Sequence, residues 1–314
     1  MIPDPTYYTL AIPATAETSK NRATTKVPFG TFWSGCRYQQ VFNASHFSKL
    51  PPGGGFMFRL YFRPGCGGTQ GTFMTNTVVR MCTTARAAGQ LSPVFDENLG
   101  ADVLTVATVP LSAANGYLPI ERCVPNPPLS DTLAWYLFMR LRTPFLYNPA
   151  KGNLLLELLI SAHVPELDQD FENSPILLEP SAEKVDGISS IAAGSTNALS
   201  AEVVNPYGLV AQVVFAPFPT LSVTPTDTNL VLSWPSHPEP IRLQHKDSLD
   251  PSVAWRDYTE PGIQRFELTS LLEIPRASLQ ARRYFRLYWN SPQVGLPDTT
   301  VEVGPEPAPT PVIP

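Results

Sequence analysis

The stretch Arg37–Arg63, RYQQVFNASHFSKLPPGGGFMFRLYFR, decides the fold class of this chain. Its second half alternates, with Phe56, Phe58, Leu60 and Phe62 predicted on one face and Met57, Arg59 and Tyr61 on the other. Strict alternation is typical of a half-buried strand. The PPGGG at 51–55 is turn chemistry, because proline fixes φ and glycine permits positive φ. The stretch therefore predicts a hairpin-like pair of strands, Arg37–Phe42 and Phe56–Phe62.

Short apolar runs separated by turns continue after this stretch. The chain contains 35 prolines in 314 residues, about twice the usual share, and proline breaks helix interiors. The pattern predicts further strands at Thr77–Thr83, Leu104–Val109, Asn153–Ala162, Ser189–Ala193 and Gly208–Phe215. Thr132–Arg142 is long enough for a helix, but its Pro-bounded flanks and aromatic content favour a buried strand. About nine or ten strands predict a jelly-roll-like β-sandwich over residues 27–218. We interpret residues 1–26 as an N-terminal arm that adds an edge strand.

The spacing of strands tightens after Ala216-Pro217-Phe218-Pro219. Residues 219–291 carry six or seven short apolar runs, which fits a small immunoglobulin/fibronectin-III-like β-sandwich. Two alternating sets are expected to meet in its core: Leu230, Leu232 and Trp234 from an early strand, and Phe285, Leu287 and Trp289 from the last one. Residues 292–314 are predicted to form a Pro-rich tail. The predicted fold class is therefore all-β.

Charge and hydropathy exclude several partners. The net charge is −5, and the 22 basic residues include no polybasic block, so no nucleic-acid partner is expected. The most apolar run, Leu154–Ile160, is interrupted by Glu157 and is too short to span a bilayer, so no membrane insertion is expected. The first residues have neither a basic nor an apolar leader region, and an exported form would have lost its leader.

The four cysteines are Cys36, Cys66, Cys82 and Cys123. An even number in a β-rich chain of low charge indicates one or two disulfides and an oxidising compartment. Buried free thiols are one alternative and a metal site is another. A Cys36–Cys66 bridge is expected if the strands of the opening stretch pair as neighbours, whereas Cys66–Cys82 is the better pair if those strands lie in different sheets.

Several motifs resemble a known group of proteins. Val27-Pro28-Phe29-Gly30 and Arg37–Phe47 are similar to the pattern of uncharacterised secreted bacterial β-sandwich proteins of the PEP-CTERM-associated type, which carry an RYQQVY motif. The likeness continues through Asn98–Asp102, Gly152–Glu157 and Gly208–Val210. It implies export and an extracellular or cell-surface location, and it implies no particular reaction. The chain departs from the group in its four cysteines and in the absence of a sorting signal.

The second domain carries a resemblance of its own. Leu230–Pro235, Trp255 and Arg283–Leu287 resemble a fibronectin-III/Ig-like module that often follows the first domain in exported bacterial proteins. The motifs identify a module and are silent on activity.

An acidic run offers a candidate metal site. Asp168, Asp170 and Glu172 alternate, and Glu179 falls at the twelfth place counted from Asp168. Calcium takes several oxygen ligands from such loops. However, Asn173 stands where an EF-hand loop has glycine, so a solvated acidic loop is the alternative. A structural Ca²⁺ ion is the one cofactor that the pattern suggests.

Aromatic side chains offer candidate ligand contacts. Trp33, Tyr38 and Tyr61 are the candidates for stacking on sugar rings, with ordinary core packing as the alternative. The last strand of the second domain places Arg282, Tyr284, Arg286 and Tyr288 on one face. That face would suit an acidic glycan or another partner, and a solvated sheet surface is the alternative.

These features favour a non-enzymatic extracellular or cell-surface protein that acts in adhesion or binding, with carbohydrate as ligand. The expected partners are a glycan or another surface protein, together with self-association. One alternative is a structural subunit that assembles into a layer or filament by strand addition. A second is a carbohydrate-active enzyme, which would need two carboxylates placed across a cleft. No catalytic motif such as H-E-x-x-H, G-x-S-x-G or a P-loop occurs.

Overall fold

A computed structural model describes most of the chain: residues 8–18, 23–29, 33–50, 53–63, 65, 72–111, 137–165, 178–181, 186–217, 219–235, 241–259, 262–265, 269–278, 282–288 and 300–303. The chain divides into two compact units, Tyr7–Ala216 and a second unit that contains Pro217–Pro314. In both units the described structure is built from strands, and the helical segments are 3-10 turns of three or four residues. The all-β prediction is confirmed.

The described residues of the first unit form ten strands. They are β1 Tyr8–Ile12, β2 Cys36–Phe42, β3 Gly55–Phe62, β4 Thr72–Thr84, β5 Leu104–Leu111, β6 Leu137–Tyr147, β7 Asn153–Pro165, β8 Ile188–Ala193, β9 Val203–Asn205 and β10 Ala211–Pro217. Sheet one has the order β1-β10-β3-β6, and sheet two has the order β5-β4-β7-β2-β8-β9. Without β8 and β9, four strands face four strands in the order of a jelly roll. The antiparallel pair β8–β9 extends sheet two beyond β2.

The two strands of the opening stretch lie in different sheets, so the predicted hairpin is wrong. β2 pairs with β7 and β8 in sheet two, whereas β3 pairs with β6 in sheet one. The connection after β2 therefore leads from sheet two to sheet one. Phe47 in this connection is buried, with its ring centre 4.7 Å from that of Tyr147 and 5.8 Å from that of Phe215. The apolar anchor of the connection therefore packs on sheet one and separates the two strands.

A β-bulge interrupts the predicted alternation of β3. The register with β6 shifts between Met57 and Arg59. Two steps along β3, from Met57 to Arg59, correspond to five along β6, from Phe145 to Arg140, so the regular alternation is broken here. Met57 consequently enters the core together with Leu60 and Phe62, although alternation placed it on the opposite face.

The core of the first unit lies between its two sheets. β7 contributes the inward side chains of Leu154, Leu156, Leu158 and Ile160, and sheet one contributes Met139, Phe145, Val213 and Phe215 among others. Burying each such side chain contributes about 1.5–3 kcal/mol. The outward residues of β7, Leu155 and Glu157, are buried as well, because loops cover the outer face of sheet two.

In the described part of the second unit there are eight strands. They are β11 Ser222–Pro225, β12 Asn229–Pro235, β13 Arg242–Lys246, β14 Arg256–Asp257, β15 Ile263–Arg265, β16 Thr269–Pro275, β17 Arg283–Tyr288 and β18 Val301–Val303. The sheet β11-β12-β16-β15 faces the sheet β14-β13-β17-β18, an immunoglobulin-type strand order. The narrower fibronectin-III assignment stays a prediction.

Most of the expected core of the second unit is observed, Leu230 is partly buried against it, and Trp289 lies outside the described residues. Leu232 and Trp234 of β12 join Phe285 and Leu287 of β17 in one buried cluster. The structure extends this sandwich to Val303, inside the predicted tail, because β18 pairs with β17. A strand of three residues is too short to carry a recognisable alternation.

In the described part of the chain, no helix has the length and apolarity needed to cross a bilayer.

Candidate functional site

Glu157 occupies the centre of a buried polar network on the outer face of sheet two. Its side chain is 1 % exposed. Arg37 Nε and Gln39 Nε2 each donate to Glu157 Oε1 at 2.9 Å, and Arg80 Nε donates to Oε2 at 2.5 Å. Gln39 and Arg80 are the cross-strand neighbours of Glu157 on β2 and β4. Three adjacent strands thus share one carboxylate.

The same network fastens two loops over the sheet. Arg37 donates to Asp96 Oδ1 at 2.5 Å and to the carbonyl of Ala198 at 3.0 Å. Gln39 donates to the carbonyl of Phe95, and Asn98 Nδ2 donates to Gln39 Oε1, both at 3.0 Å. Burial alone would lower the pKa of Arg37, but Asp96 and Glu157 outweigh burial and raise it. We call Arg37, Gln39, Arg80, Asn98 and Glu157 the polar clasp.

The inward side chains of β2 form a second fixed contact. The Tyr38 hydroxyl donates to Gln40 Oε1 at 2.5 Å, and Gln40 exchanges two hydrogen bonds with the backbone of Leu209, at 2.9 and 2.7 Å. A Cβ at Gly208 would lie 2.6 Å from Gln40 Cδ. Tyr38 is buried, and burial raises the pKa of its hydroxyl. Its ring belongs to the core and is not at a surface where a sugar could stack.

The motifs that carry the sequence resemblance therefore have structural partners. Arg37, Asn98 and Glu157 belong to the polar clasp, and Gln40 and Gly208 hold the segment that enters β10. In this arrangement each ionised group is paired with an opposite charge, and the side chains are locked in place. Such a network fixes the positions of its side chains and stabilises the fold.

The candidate calcium ligands Asp168, Asp170 and Glu172 lie outside the described residues. Glu179, the twelfth position of that pattern, is buried in a bidentate pair with Arg63 at 2.5 and 2.8 Å. Its inclusion in the calcium pattern is wrong, because a buried guanidinium already takes both of its oxygens. In the part of the chain that the structure describes, no three His, Cys, Asp or Glu side chains gather as a metal site.

Cys36 and Cys82 are free, buried thiols. Cys36 packs in the core between the sheets, whereas Cys82 packs with Val41 and Leu155 on the outer face of sheet two. Neither the Cys36–Cys66 nor the Cys66–Cys82 bridge is therefore formed, and Cys66 and Cys123 lie outside the described residues. Burial raises the pKa of both described thiols to about 12.

Trp33 and Tyr61, the other two candidate ligand residues, lie apart. Trp33 is half-buried against the core, and its ring covers Gly194, where a Cβ would come within 2.5 Å. Gly194 follows β8 in sheet two, whereas Tyr61 is half-buried on β3 in sheet one. The structure does not bring Trp33, Tyr38 and Tyr61 together into one site.

The second unit presents a different arrangement of aromatic and cationic side chains. β13 and β17 direct Leu243, Phe285 and Leu287 into the core. The opposite, outer face carries Arg242, Gln244 and Lys246 from β13 and Tyr284, Arg286 and Tyr288 from β17. Gln244 pairs with Arg286 and Lys246 pairs with Tyr284 in the register of the two strands. The sequence predicted the alternation of Tyr284, Arg286 and Tyr288.

Trp255, which precedes β14, lies over this face. The guanidinium carbon of Arg286 is 4.4 Å from the centre of its ring, and Lys246 Nζ is 5.0 Å from it. Because Lys246 and Arg286 are diagonal neighbours across two paired strands, the ring spans the diagonal between them. Arg286 also lies 5.5 Å from the ring centre of Tyr288. We call Trp255, Lys246, Arg286 and Tyr288, together with Gln244, the cation–aromatic face.

Hydrogen bonds fix the cations of this face. Arg286 donates to Gln244 Oε1 through Nε at 3.0 Å and through Nη2 at 2.9 Å. Gln244 in turn donates to Asp257 Oδ1 at 2.9 Å, and Arg242 reaches Asp257 Oδ2 at 2.8 Å. These bonds from Gln244 and Arg242 lower the pKa of Asp257. Sequence reasoning missed the role of Trp255, because only the fold places it beside a strand nearly thirty residues later.

No family model matches the chain, and no curated protein matches it. The solved structures that are similar to it include two of a β-glucuronidase from Ruminococcus gnavus, one of them the apo form. Their sequence identities are 9 % and 8 %, and the TM-score is 0.24 for each. The likeness covers 97 % of this chain, and the chain spans 46 % of the length of either structure. At this TM-score it carries no argument about fold or function.

Proposed function

We propose that the protein is a non-enzymatic binding protein that acts in adhesion outside the cell, and that its cation–aromatic face binds a glycan. One observation carries the proposal: Trp255 is held against Arg286 and Lys246 on a sheet surface. Trp255 and Tyr288 are partly exposed, whereas Gln244 and Lys246 beneath them are buried. The extracellular setting rests on the sequence resemblance of Arg37–Phe47.

The chemistry of the face suits a sugar. Aromatic rings bury the apolar face of a flat ligand, and adjacent polar groups fix its orientation. Arg242 and Asp257 supply donors and acceptors at the margin of the aromatic surface, and both side chains are partly exposed. A sugar that stacks on Trp255 or Tyr288 would therefore have both kinds of hydrogen-bonding partner within reach.

Preorganisation favours binding at this place. Arg286 is held by Gln244 and by two aromatic rings, so little side-chain freedom remains to be lost when a ligand arrives. Immobilising a long side chain otherwise costs about 0.5–1.5 kcal/mol. The strands beneath the face keep the spacing of its members constant.

A glycan array with the whole chain tests the proposal. The wild type is expected to retain a defined set of glycans, and Trp255→Ala and Arg286→Ala are each expected to weaken that binding by about tenfold or more. Arg256→Ala is the matched control, because Arg256 pairs with His245 and lies on the other side of the sheet. Its affinity is expected to stay within about twofold of the wild type.

Two results would contradict the proposed function. One is that no glycan on the array is retained by the wild type. The other is that Trp255→Ala binds the retained glycans as the wild type does while its circular dichroism spectrum is unchanged.

A further inference from the structure

Three large apolar side chains are exposed together on the outer face of sheet two. Leu199 is 72 % exposed, Val204 is 62 % exposed and Val94 is 37 % exposed. Val94 and Leu199 are neighbours, because Phe95 N donates to the carbonyl of Leu199 at 3.1 Å. Val204 pairs with Ile191, which is buried against Phe95. All three therefore surround one small buried cluster, and we call Val94, Leu199 and Val204 the edge patch.

Buried hydrogen bonds beneath the edge patch hold its loops in place. The polar clasp binds the carbonyls of Phe95 and Ala198, which directly adjoin Val94 and Leu199 in the chain. Loops that carry exposed apolar side chains are usually free to fold those side chains away, but these loops are fixed by buried hydrogen bonds. Contiguous exposed apolar surface held in this way is typical of a protein interaction site.

Acidic side chains border the edge patch. The side chain of Asp96 is 67 % exposed, that of Glu97 is 55 % exposed, and Glu202 is exposed as well. The guanidinium that pairs with Asp96 belongs to Arg37, which is buried. Arg86 Nη2 lies 3.7 Å from Glu97 Oε2 and offsets one of these charges. The exposed charge around the edge patch therefore remains negative. A complementary partner is consequently cationic.

The adjoining edge of the sheet suits a partner segment in extended conformation. β9 is the last strand of sheet two, next to β8. An extended segment can add to such an edge through backbone hydrogen bonds, with alternate side chains reading the faces of the sheet. On the outer face those side chains would meet Val204 and the neighbouring acidic rim.

We infer that the edge patch and β9 bind an extended cationic segment of another protein, in which apolar and basic residues take turns at every second position, so that both kinds lie on the outer face of sheet two. The segment adds as a strand beside β9, places apolar side chains against Val204 and Leu199, and places basic ones near Glu202 and Asp96. This surface belongs to the first unit and is independent of the cation–aromatic face.

The test uses the full chain and a fluorescein-labelled peptide of about nine residues, in which valine and lysine take turns at every second position with threonine between them. Anisotropy titration is expected to show binding that weakens as salt is added. Leu199→Asp combined with Val204→Asp is expected to weaken it by about tenfold or more. Leu249→Asp is the matched control, because Leu249 is an exposed leucine of the second unit.

Two further peptides separate charge from strand addition. A peptide with glutamate in place of lysine is expected not to bind, and a lysine–valine peptide N-methylated along one edge is expected to bind about tenfold more weakly, since it cannot pair with β9. Equal binding of the glutamate peptide, or no effect of the Leu199→Asp/Val204→Asp change, overturns the inference. Concentration-dependent self-association that this double change abolishes would also overturn it, because the occupant would then be a second copy.

Discussion

Arg37 and Glu157 form a buried ion pair across adjacent strands, with 2.9 Å between Arg37 Nε and Glu157 Oε1. Cα register places Gln39, not Arg37, directly opposite Glu157. Arg37 therefore reaches diagonally along the sheet, and this reach lets the same guanidinium meet Asp96 in a covering loop. One side chain thus connects the sheet to the loop that forms the edge patch.

Glu157→Gln is expected to destabilise the first unit strongly. The change leaves the Arg37 charge buried and removes the anion that it shares with Arg80. Breaking a buried pair by neutralising one partner costs about 3–5 kcal/mol. Urea denaturation followed by circular dichroism would measure the loss. Asp96→Asn is the control, because its exposed carboxylate should contribute no more than about 1 kcal/mol; equal losses for both variants would show that Glu157 has no special role.

Gly208→Ala is expected to lower the free energy of unfolding by about 1–3 kcal/mol, the range for overpacking. The new methyl would lie 2.6 Å from Gln40 Cδ and from Ile188 Cγ2. Gln40→Ala removes one of these overlaps, so the double variant should lose less stability than the sum of the single changes. A coupling energy of about 0.5–3 kcal/mol is typical of residues in contact. Strict additivity in denaturation experiments would contradict the contact.

Local patterning predicted the strands and much of the second core. The alternation of Leu232 and Trp234, and of Phe285 and Leu287, was sufficient because period-two patterns report directly which side chains are buried. The partner of each strand was not predictable in the same way. β2 and β3 have the clearest strand pattern in the chain, yet they lie in different sheets. Phe47, in the connection between them, packs against Phe215 of sheet one.

The candidate site, too, was predictable within a strand but not between strands. Tyr284, Arg286 and Tyr288 could be placed on one face from their spacing alone, but Trp255 arrives there only through the pairing of β13 with β14 and β17. Tyr38 illustrates the reverse case. Its aromatic ring suggested a ligand contact, and a hydrogen bond to Gln40, two residues along the same strand, makes it part of the interior.

The family-like motifs acquire a physical meaning from these contacts. RYQQ alternates along β2, so Arg37 and Gln39 serve the polar clasp while Tyr38 and Gln40 serve the core side of the same strand. Four consecutive polar or aromatic residues are thereby satisfied within a fully buried strand. We therefore interpret the motif as structural, because its side chains hold covering loops on the outer face of β2 and the Leu209 segment on the core side. We place binding elsewhere in the protein.

Cys36 and Cys82 are expected to resist thiol reagents in the native protein. Burial keeps both thiols protonated, with pKa values raised to about 12, whereas in the unfolded chain they titrate near 9. Alkylation at about pH 8 followed by peptide mass spectrometry should label both only after urea is added. Rapid labelling of either cysteine in the folded protein would contradict its burial.

The same thiols predict a loss of stability in alkali. Between about pH 9 and pH 12 the folded state holds protons that the unfolded chain has released, so the free energy of unfolding falls as pH rises. Cys36→Ala and Cys82→Ala should each flatten this decline in urea titrations, after allowance for the cavity that each change creates. An unchanged slope in both variants would contradict the raised pKa values.

His46 is expected to make the first unit less stable in mild acid. Its Nε2 is buried and has no hydrogen-bond partner among the described residues. Burial lowers the pKa of His46, so the unfolded chain takes up a proton first and stability is lost as pH falls below about 6.5. Burial also raises the pKa of Asp186, so at lower pH the folded state holds a proton there that the unfolded chain has released. That carboxyl therefore adds to the unfolding free energy as pH falls, opposite to the effect of His46. His46→Gln should therefore flatten the fall in unfolding free energy between about pH 7 and pH 5, with Asp186→Asn as the comparison variant that retains the histidine. Parallel pH profiles for His46→Gln and the wild type would show that His46 does not titrate on unfolding.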